Sequence, residues 1–248
     1  MTTICIGRAN DQGLRPNDED RIITKSFAID DSTRSFTLVA VFDGHGGQET
    51  VEYLVKHFAT ELEVQLNISD TIRDAITATF ENIDSRLENY GSGSTCVLAL
   101  MEEGTSDMWC AHIGDSRMII KQKENVIATI DHKPSLEKEN IRIRCAGGYV
   151  FQHRLNGIIA VSRAFGDFGS DLKPDMLIAI PDISHHTMSE GDVAILVSDG
   201  VTDVISTEDI TELGVSSDDA DTVATAIKDS ALKKGTRDNV SVIVVQWK

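Results

Sequence analysis

The stretch LVAVFDGHGG at residues 38–47 joins an apolar run to a polar, glycine-rich end. Its first five residues predict a buried β-strand, because short apolar runs bounded by turn residues are typical of sheet interiors. The strand then ends in Asp43, Gly44 and His45, with two more glycines behind them. An aspartate beside a glycine at a strand end is usually a turn former. This stretch alone therefore predicts a strand and a turn, and it predicts a functional site only if other strands end similarly.

Several other predicted strands have a carboxylate at one end. Asp115 follows WCAHIG, Asp199 follows VAILVS, Asp238 precedes NVSVIVVQW, and Glu19 with Asp20 precedes RIITKSFAI. Taken singly, each of these residues is a turn former. If the strands lie side by side, the carboxylates share one small volume, where like charges cannot all stay ionised without a counterion. We therefore expect a divalent cation at these strand ends.

The donor types indicate which metal such a site would hold. Carboxylate oxygens and backbone carbonyls suit the hard cations Mg²⁺ and Mn²⁺ rather than zinc. Gly44 has no side chain, so its carbonyl can face an ion directly. The four cysteines, at positions 5, 96, 110 and 145, form no CxxC pair, which argues against a zinc site and against a disulfide scaffold. The cluster suits two ions ~3.5–4 Å apart that share a water and lower its pKa.

Two further side chains complete a hydrolytic site. His45 lies two residues after Asp43, where it could protonate a leaving alkoxide. Arg15, four residues before Glu19, offers a planar fork to a tetrahedral anion. Alone, His45 would be a turn or core histidine and Arg15 an ordinary surface residue. Together with the carboxylates, they favour phosphoester hydrolysis by direct attack of water.

The 248 residues contain no repeat and no linker rich in proline, glycine or serine, so we expect one domain over residues 1–248. Helical periodicity predicts helices at 47–66, at 69–89 with Ser69 or Asp70 as its N-cap, and at 135–145, 207–213 and 218–233. Short β-branched runs predict strands at 3–9, 21–28, 36–42, 94–101, 106–113, 116–122, 125–130, 177–184, 192–198 and 239–247. The strands come in consecutive groups, which favours antiparallel sheets with helices outside over a parallel Rossmann-type sheet.

The charge balance argues against two classes of binding partner. Forty acidic and twenty-three basic side chains give a formal net charge of −17. Nucleic acids and anionic membranes bind basic patches, so we expect neither as a partner, and a two-metal nuclease is disfavoured.

The stretch GSGSTC at 91–96 lacks the lysine of a phosphate-binding P-loop. The sequence has no signal-peptide pattern and no apolar run of ~20 residues, so we expect a cytoplasmic location, with a nuclear one also open. As a separate expectation, the protein is a monomer.

Nine short motifs follow one another in order along nearly the whole chain. They are RPNDED (15–20), VFDGHGG (41–47), GSTC (93–96), IGDSRMII (113–120), DHKP (131–134), AGGYV (146–150), RLNGIIAVSRAFGD (154–167), LVSDGVTDV (196–204) and GTRDNVSVIVV (235–245). Each motif is weak alone, but the ordered set resembles the metal-dependent Ser/Thr protein phosphatases of type 2C, or PPM. The resemblance implies an α+β fold, a sandwich of two antiparallel β-sheets flanked by antiparallel α-helix pairs.

The resemblance also implies an activity, cofactors and residue roles. The activity is hydrolysis of phosphoserine and phosphothreonine in phosphoprotein substrates, with two Mg²⁺ or Mn²⁺ ions and a third, weaker ion in some members. The resemblance implies that Arg15 binds the substrate phosphate and that His45 acts as general acid. It implies that Asp43 bridges both ions, that Asp199 and Asp238 ligate the first ion, and that the Gly44 carbonyl ligates the second, with Glu19 contacting waters of that ion. It also implies that Asp115 holds the third ion with Asp199, that Asp20 supports the cluster, and that Asn239 lies behind the ligands.

A catalytically silent phosphoprotein-binding module on the same fold is the alternative. The presence of Asp43, Asp199 and Asp238 favours the active enzyme, because an inactive relative would be expected to have lost at least one of them. Two features depart from the family pattern: Thr202 stands where tryptophan is frequent, and the segment 166–181, expected to border the site, is short. The acidic surface favours phosphosites flanked by basic residues.

Overall fold

The protein is a four-layered sandwich. The computed structural model describes residues 3–29, 34–123, 125–169 and 171–248. Two antiparallel sheets pack face to face, and helices cover the outer face of each sheet. The α+β sandwich with flanking helices that the sequence resemblance implies is therefore confirmed.

The first sheet is apolar on both faces. In the described part of the chain its strand order is β1 (Ile4–Asp11), β14 (Val240–Trp247), β13 (Val193–Val197), β7 (Arg117–Gln122) and β8 (Asn125–Ala128). In β14, Val242 and Val244 face the outer helices, while Ile243 and Val245 face the second sheet. Because successive side chains point to opposite faces, a strand with two covered faces needs the continuous apolar run VIVV seen here.

The second sheet contains the strand that opened the sequence analysis. Its main strands lie in the order β2 (Asp20–Ala28), β3 (Ser35–His45), β5 (Cys96–Glu102), β6 (Asp107–Ile113) and β12 (Asp182–Thr187). The end of β3 also pairs with β4 (Gly93–Ser94), which pairs with β11 (Phe165–Gly166). A separate small hairpin joins β9 (Val150–Phe151) to β10 (Arg154–Leu155).

The described residues form six helices, most of which pack on the outer faces of the sheets. They are α1 (Glu49–Ile68), α2 (Ile72–Ser85), α3 (Glu137–Cys145), α4 (Asp199–Thr202), α5 (Thr207–Gly214) and α6 (Ala220–Lys233). The ring of Phe58 on α1 lies 5.5 Å from those of Phe42 and Phe80, which pins α1 and α2 to β3. Helices α5 and α6 cover the first sheet. Among the described residues, no helix combines the length and the apolar composition that crossing a bilayer requires.

Two details of the sequence prediction are wrong. The N-cap of α2 is neither Ser69 nor Asp70 but Thr71, whose hydroxyl accepts a hydrogen bond from the N–H of Asp74 at 3.1 Å. Ser69 instead ends α1, because its N–H donates to Gln65. The predicted strand 177–184 overlaps β12 by only three residues. Of the apolar run before β12, Leu177 packs into a small separate core, Ala179 packs against the main core, and Ile180 is 51% exposed.

Candidate active site

Three aspartates meet at one end of the sandwich, where the two sheets adjoin. Asp43 lies near the end of β3, Asp115 lies in the turn that leads from β6 in the second sheet to β7 in the first, and Asp199 begins α4. One carboxylate oxygen from each lies within 4.8 Å of the others. Strand ends from both sheets therefore converge, as the sequence predicts.

The trio is short of positive charge. Burial raises the pKa of Asp43 well above its usual range, and the charges of Asp199, Asp20 and Asp115 raise it further. Burial also raises the pKa of Asp199 to about 8, with Asp115 and Asp203 adding to the shift. Carboxylates held this close favour protons or cations over mutual repulsion.

A lysine that the sequence analysis did not single out partly balances this charge. Nζ of Lys133, from the DHKP motif, donates a hydrogen bond to Oδ2 of Asp115. Burial opposes the positive form of Lys133, but Asp115 and Asp199 outweigh it and raise the lysine pKa. Asp203, one turn after Asp199, also lines the cleft. Neither residue stands at a strand end, so the pattern that identified the other carboxylates could not find them.

The remaining predicted carboxylates surround the trio without belonging to it. Asp20 lies opposite Asp43 in the β2–β3 register. Burial raises the pKa of Asp20 to about 7, and its Oδ2 has no hydrogen-bond partner among the described residues. Asp238 accepts a hydrogen bond at 2.6 Å from Nη2 of Arg15. Glu19 lines the cleft, and its backbone N–H donates to Oδ1 of Asn239 at 2.9 Å.

Two glycines let backbone segments approach closely behind the carboxylates. A Cβ at Gly44 would lie 2.6 Å from the carbonyl oxygen of Glu19. A Cβ at Gly200, the residue after Asp199, would lie 2.0 Å from the carbonyl oxygen of Asn239. Both neighbours are backbone atoms that cannot rotate away, so the glycines set the distance between the segments that present the acids.

His45 is held by an aspartate that the sequence analysis missed. Its Nε2 lies 2.8 Å from Oδ2 of Asp167. Burial would lower the pKa of His45, but the hydrogen bond and charge of Asp167, together with the negative charges of Asp115 and Glu19, raise it overall. Gly93 makes this contact possible, since a Cβ there would lie 2.1 Å from Asp167 Oδ2 and 2.4 Å from His45 Nε2.

The carboxylates open into a cleft of about 480 Å³. Arg15 and His45 lie at its acidic end, and Arg154 with residues 158–161 forms another wall. The segment 166–181, expected to border the site, supplies none of the described lining residues and reaches the site through Asp167. The bordering element is instead the stretch that follows the small hairpin β9–β10.

Comparisons with known proteins identify the family to which the sequence is similar. A family model described as "Protein phosphatase 2C" matches residues 7–240. The chain is 36% identical over 253 residues to "Probable protein phosphatase 2C 55" of Oryza sativa subsp. japonica, covering 97% of this chain and 65% of that protein. It is 32% identical over 252 residues to "Probable protein phosphatase 2C 69" of Arabidopsis thaliana, covering 97% and 69%. The chain thus spans about two thirds of the length of these curated relatives.

Solved structures share the fold over the full chain. A "C. elegans sex determining protein" matches with a TM-score of 0.86 and 27% identity, covering 98% of this chain and 64% of that one. A serine-threonine phosphatase 2C from Toxoplasma gondii matches with a TM-score of 0.76 and 20% identity, covering 100% and 99%. At the latter identity the likeness concerns the fold alone.

Proposed function

The chain belongs to the protein phosphatase 2C family, and from that premise we propose that residues 1–248 form one catalytic domain that hydrolyses phosphoserine and phosphothreonine in phosphoproteins. The observation that supports this most directly is the trio of Asp43, Asp115 and Asp199, whose oxygens lie within 4.8 Å of one another beside an open cleft. Family membership supports a protein phosphatase in general. The residue roles below are part of the proposal.

The carboxylate cluster fits Mg²⁺ or Mn²⁺. Its donors are oxygens, its acids have raised pKa values, and Oδ2 of Asp20 is buried without a described partner. When bound, two such ions would supply a water of lowered pKa as the nucleophile. In our assignment, Asp43, Asp199 and Asp238 would hold the first ion. Asp43, the Gly44 carbonyl and Glu19 would hold or support the second. Asp115 with Asp199 would hold a weaker third ion, and Asp20 would lie behind them.

His45 would donate the proton that the leaving serine or threonine oxygen needs. The contact with Asp167 orients the ring and favours its protonated form, which is the form a general acid requires. Asp167 would act as a positioning residue, since it reaches the reaction through His45.

Arg15 would bind the substrate phosphate from the rim of the cleft. Its side chain is half exposed and uses Nη2 for Asp238. Among the described residues, Nη1 and Nε of Arg15 make no side-chain hydrogen bond, so these N–H groups can bind the phosphate oxygens.

The substrates would be phosphoproteins whose sites are flanked by basic residues. The net charge of −17 attracts such sequences at low ionic strength. We propose a monomeric, cytoplasmic enzyme, with a nuclear location also open, that binds neither nucleic acid nor membrane. Because the chain spans only part of its relatives, the substrates of the whole protein belong to the same proposal.

Turnover of p-nitrophenyl phosphate and of a phosphothreonine peptide tests the activity. Both should be hydrolysed with Mn²⁺ and neither with a chelator. Asp43→Asn should lower kcat on the order of 10²-fold or more, about 2.7 kcal/mol in the barrier. Asp229→Asn is the matched control, because this exposed aspartate on α6 lies outside the cleft and its loss should leave kcat unchanged.

The same preparation distinguishes the silent module. A chain that binds the phosphopeptide by calorimetry but turns over neither substrate with any divalent ion would be a binding module, and the hydrolytic proposal would be wrong.

A further inference from the structure

A second group of possible metal ligands lies outside the carboxylate cleft. His112 on β6 and Asp182 on β12 are directly opposite each other in the antiparallel register, and His132 reaches them from the loop after β8. One donor atom from each lies within 4.8 Å of the others. These residues are 20 and 50 positions apart in the sequence, so no spacing motif announces them. This group does not depend on the proposed phosphatase activity.

His132 is the unusual member of the group. Its side chain is 0% exposed, Nδ1 has no hydrogen-bond partner among residues 3–29, 34–123, 125–169 and 171–248, and Nε2 contacts only the carboxylate of Asp182 there. A buried polar atom without a partner costs about 1–3 kcal/mol, so such atoms are rare and call for a ligand. Nε2 lies 3.3 Å from Oδ2 of Asp182, and this contact helps to hold the pKa of Asp182 below its usual range. Two ligand atoms each ~2.0–2.1 Å from one tetrahedral ion are separated by about the same distance.

Both imidazoles are in the form that binds metal. Burial lowers the pKa of His112 to about 4, and burial lowers that of His132 as well. The rings stack 4.5 Å apart and within 4° of parallel, so a positive charge on one ring disfavours a positive charge on the other. Nε2 of His112 donates to the carbonyl oxygen of Ile130 at 3.0 Å, because a carbonyl can only accept, and this leaves its Nδ1 lone pair available. The lone pairs lie in the planes of the two stacked rings and do not point at one ion, so binding requires His132, whose Nδ1 has no partner among the described residues, to turn towards a shared ion.

Asp182 already has two positively charged partners, and an incoming metal ion would have to compete with them for its oxygens. Its Oδ1 accepts from Nη1 of Arg163 at 2.9 Å, and its Oδ2 accepts from Nζ of Lys138 at 2.8 Å. Lys138 thus occupies the oxygen that faces His132. The Lys138 side chain is 49% exposed, so its ammonium can return to water when another cation takes its place. Arg163 can keep its hold on the other oxygen and orient the carboxylate.

We propose that His112, His132 and Asp182 form a binding site for a zinc-class transition-metal ion, separate from the oxygen-only cleft. Two neutral imidazoles and one carboxylate make a donor set of the zinc type, with a fourth position for water. A cavity of about 210 Å³, lined by His112, Asp182 and His186 among others, adjoins two of the three proposed ligands. The bound ion would join β6, β12 and the loop that continues into Lys133.

Spectroscopy on the intact protein tests this site. With Co²⁺ as the probe, the wild type should show the intense visible bands of tetrahedral nitrogen and oxygen ligation, which an octahedral oxygen site does not give. On addition of Zn²⁺, the imidazole ¹⁵N signals of two histidines should shift, and His112→Asn and His132→Asn should identify them by their loss. His153→Asn is the matched control, since His153 is exposed and adopts a φ of 61°, which asparagine tolerates. A wild-type protein without the tetrahedral bands and without the ¹⁵N shifts overturns the proposal.

Lys138→Met provides a test that does not depend on the folding of the histidine variants. Removing the competing ammonium frees Oδ2 of Asp182, so the affinity for Zn²⁺ should rise about tenfold, or about 1.4 kcal/mol. Lys25→Met removes the same charge from an exposed position on β2 and should leave the affinity unchanged. Equal Zn²⁺ affinities for Lys138→Met, Lys25→Met and the wild type would place any bound ion elsewhere and refute the site.

Discussion

Replacing Lys133 by methionine should strengthen the binding of Mn²⁺ to the carboxylate cleft. Lys133 donates a hydrogen bond to Asp115 and is a cation already tethered among the acids that would ligate metal. An incoming ion that uses Asp115 must displace this ammonium. Methionine keeps the apolar stem of the lysine but removes the charge, so the cleft becomes more negative and its oxygen is freed.

The size of the effect follows from charge separation and exposure. Two unit charges about 4 Å apart interact by about 4 kcal/mol at an effective dielectric constant of 20. The Lys133 side chain is 37% exposed, so solvent screening leaves only part of this. We expect about 1.4 kcal/mol, which is a tenfold lower Kd for the weakest Mn²⁺ site.

Calorimetric titration of the metal-stripped protein with Mn²⁺ measures this directly. Lys25→Met serves again as the control for a general change in net charge, because Lys25 is exposed on β2. Without metal, Lys133→Met should also unfold at a lower temperature than the wild type, since the cluster has lost its counterion. The reasoning is refuted if Mn²⁺ binds Lys133→Met no more tightly than the wild type, or if Lys25→Met gains as much.

Three further changes test individual contacts. Gly93→Ala should lower kcat about tenfold or more with Mn²⁺ affinity unchanged, because its Cβ would enter the space where His45, the proposed general acid, meets Asp167. Glu139→Gln should remove stability that depends on pH: two arginines hold the pKa of this buried carboxyl at about 2 against an unfolded value of 4.5, although burial alone would raise it. The unfolded chain binds more protons as pH falls through this window, so the wild type should lose about 3 kcal/mol between pH 5 and 2 by urea denaturation, and the variant should lose less. Thr71→Ala should lower the free energy of unfolding by about 1 kcal/mol by removing the N-cap of α2.

Matched changes accompany these three predictions. Gly91→Ala should leave kcat intact, since no atom lies within 4 Å of its Cβ position. Glu88→Gln alters an exposed acid and should preserve the wild-type pH profile of stability. Ser69→Ala should be nearly neutral, because Ser69 ends α1 through its backbone N–H. Equal effects within any pair would contradict the contact that the pair tests.

The sequence predicts those parts of the site that depend on local pattern. Asp43 and Asp199 each follow a buried apolar run, and the end of a strand is a place that periodicity can locate. Lys133 and Asp167 are different, because their importance comes from what lies across the cleft and their own neighbourhoods are ordinary turns. His112, His132 and Asp182 are also invisible to spacing, since only sheet pairing and a loop bring them together.

The fold is predictable for a similar reason, and the error in the predicted strand at 177–184 has the same origin. Grouped strands indicate antiparallel sheets, and β14 shows the two-sided burial that a continuous apolar run predicts. The apolar run at 177–181 resembles a strand by the same criterion, yet among the described residues it forms only an isolated bridge between Ile178 and Arg163, with Leu177 buried in a small core and Ile180 exposed. Hydrophobic periodicity reports burial, and it does not distinguish a sheet from a covered loop.

The facing of Asp20 and Asp43 across β2 and β3 has a consequence for how reliably the chain assembles. A slip of one residue between these strands would turn every side chain of β2 to the opposite face and carry Asp20 away from Asp43. A divalent ion that needs both strands in place would then bind only the correctly paired chain. By mass action it would add to the stability of that pairing alone. A bound divalent ion would in this way select among strand pairings during folding and favour the one in which Asp20 and Asp43 face each other.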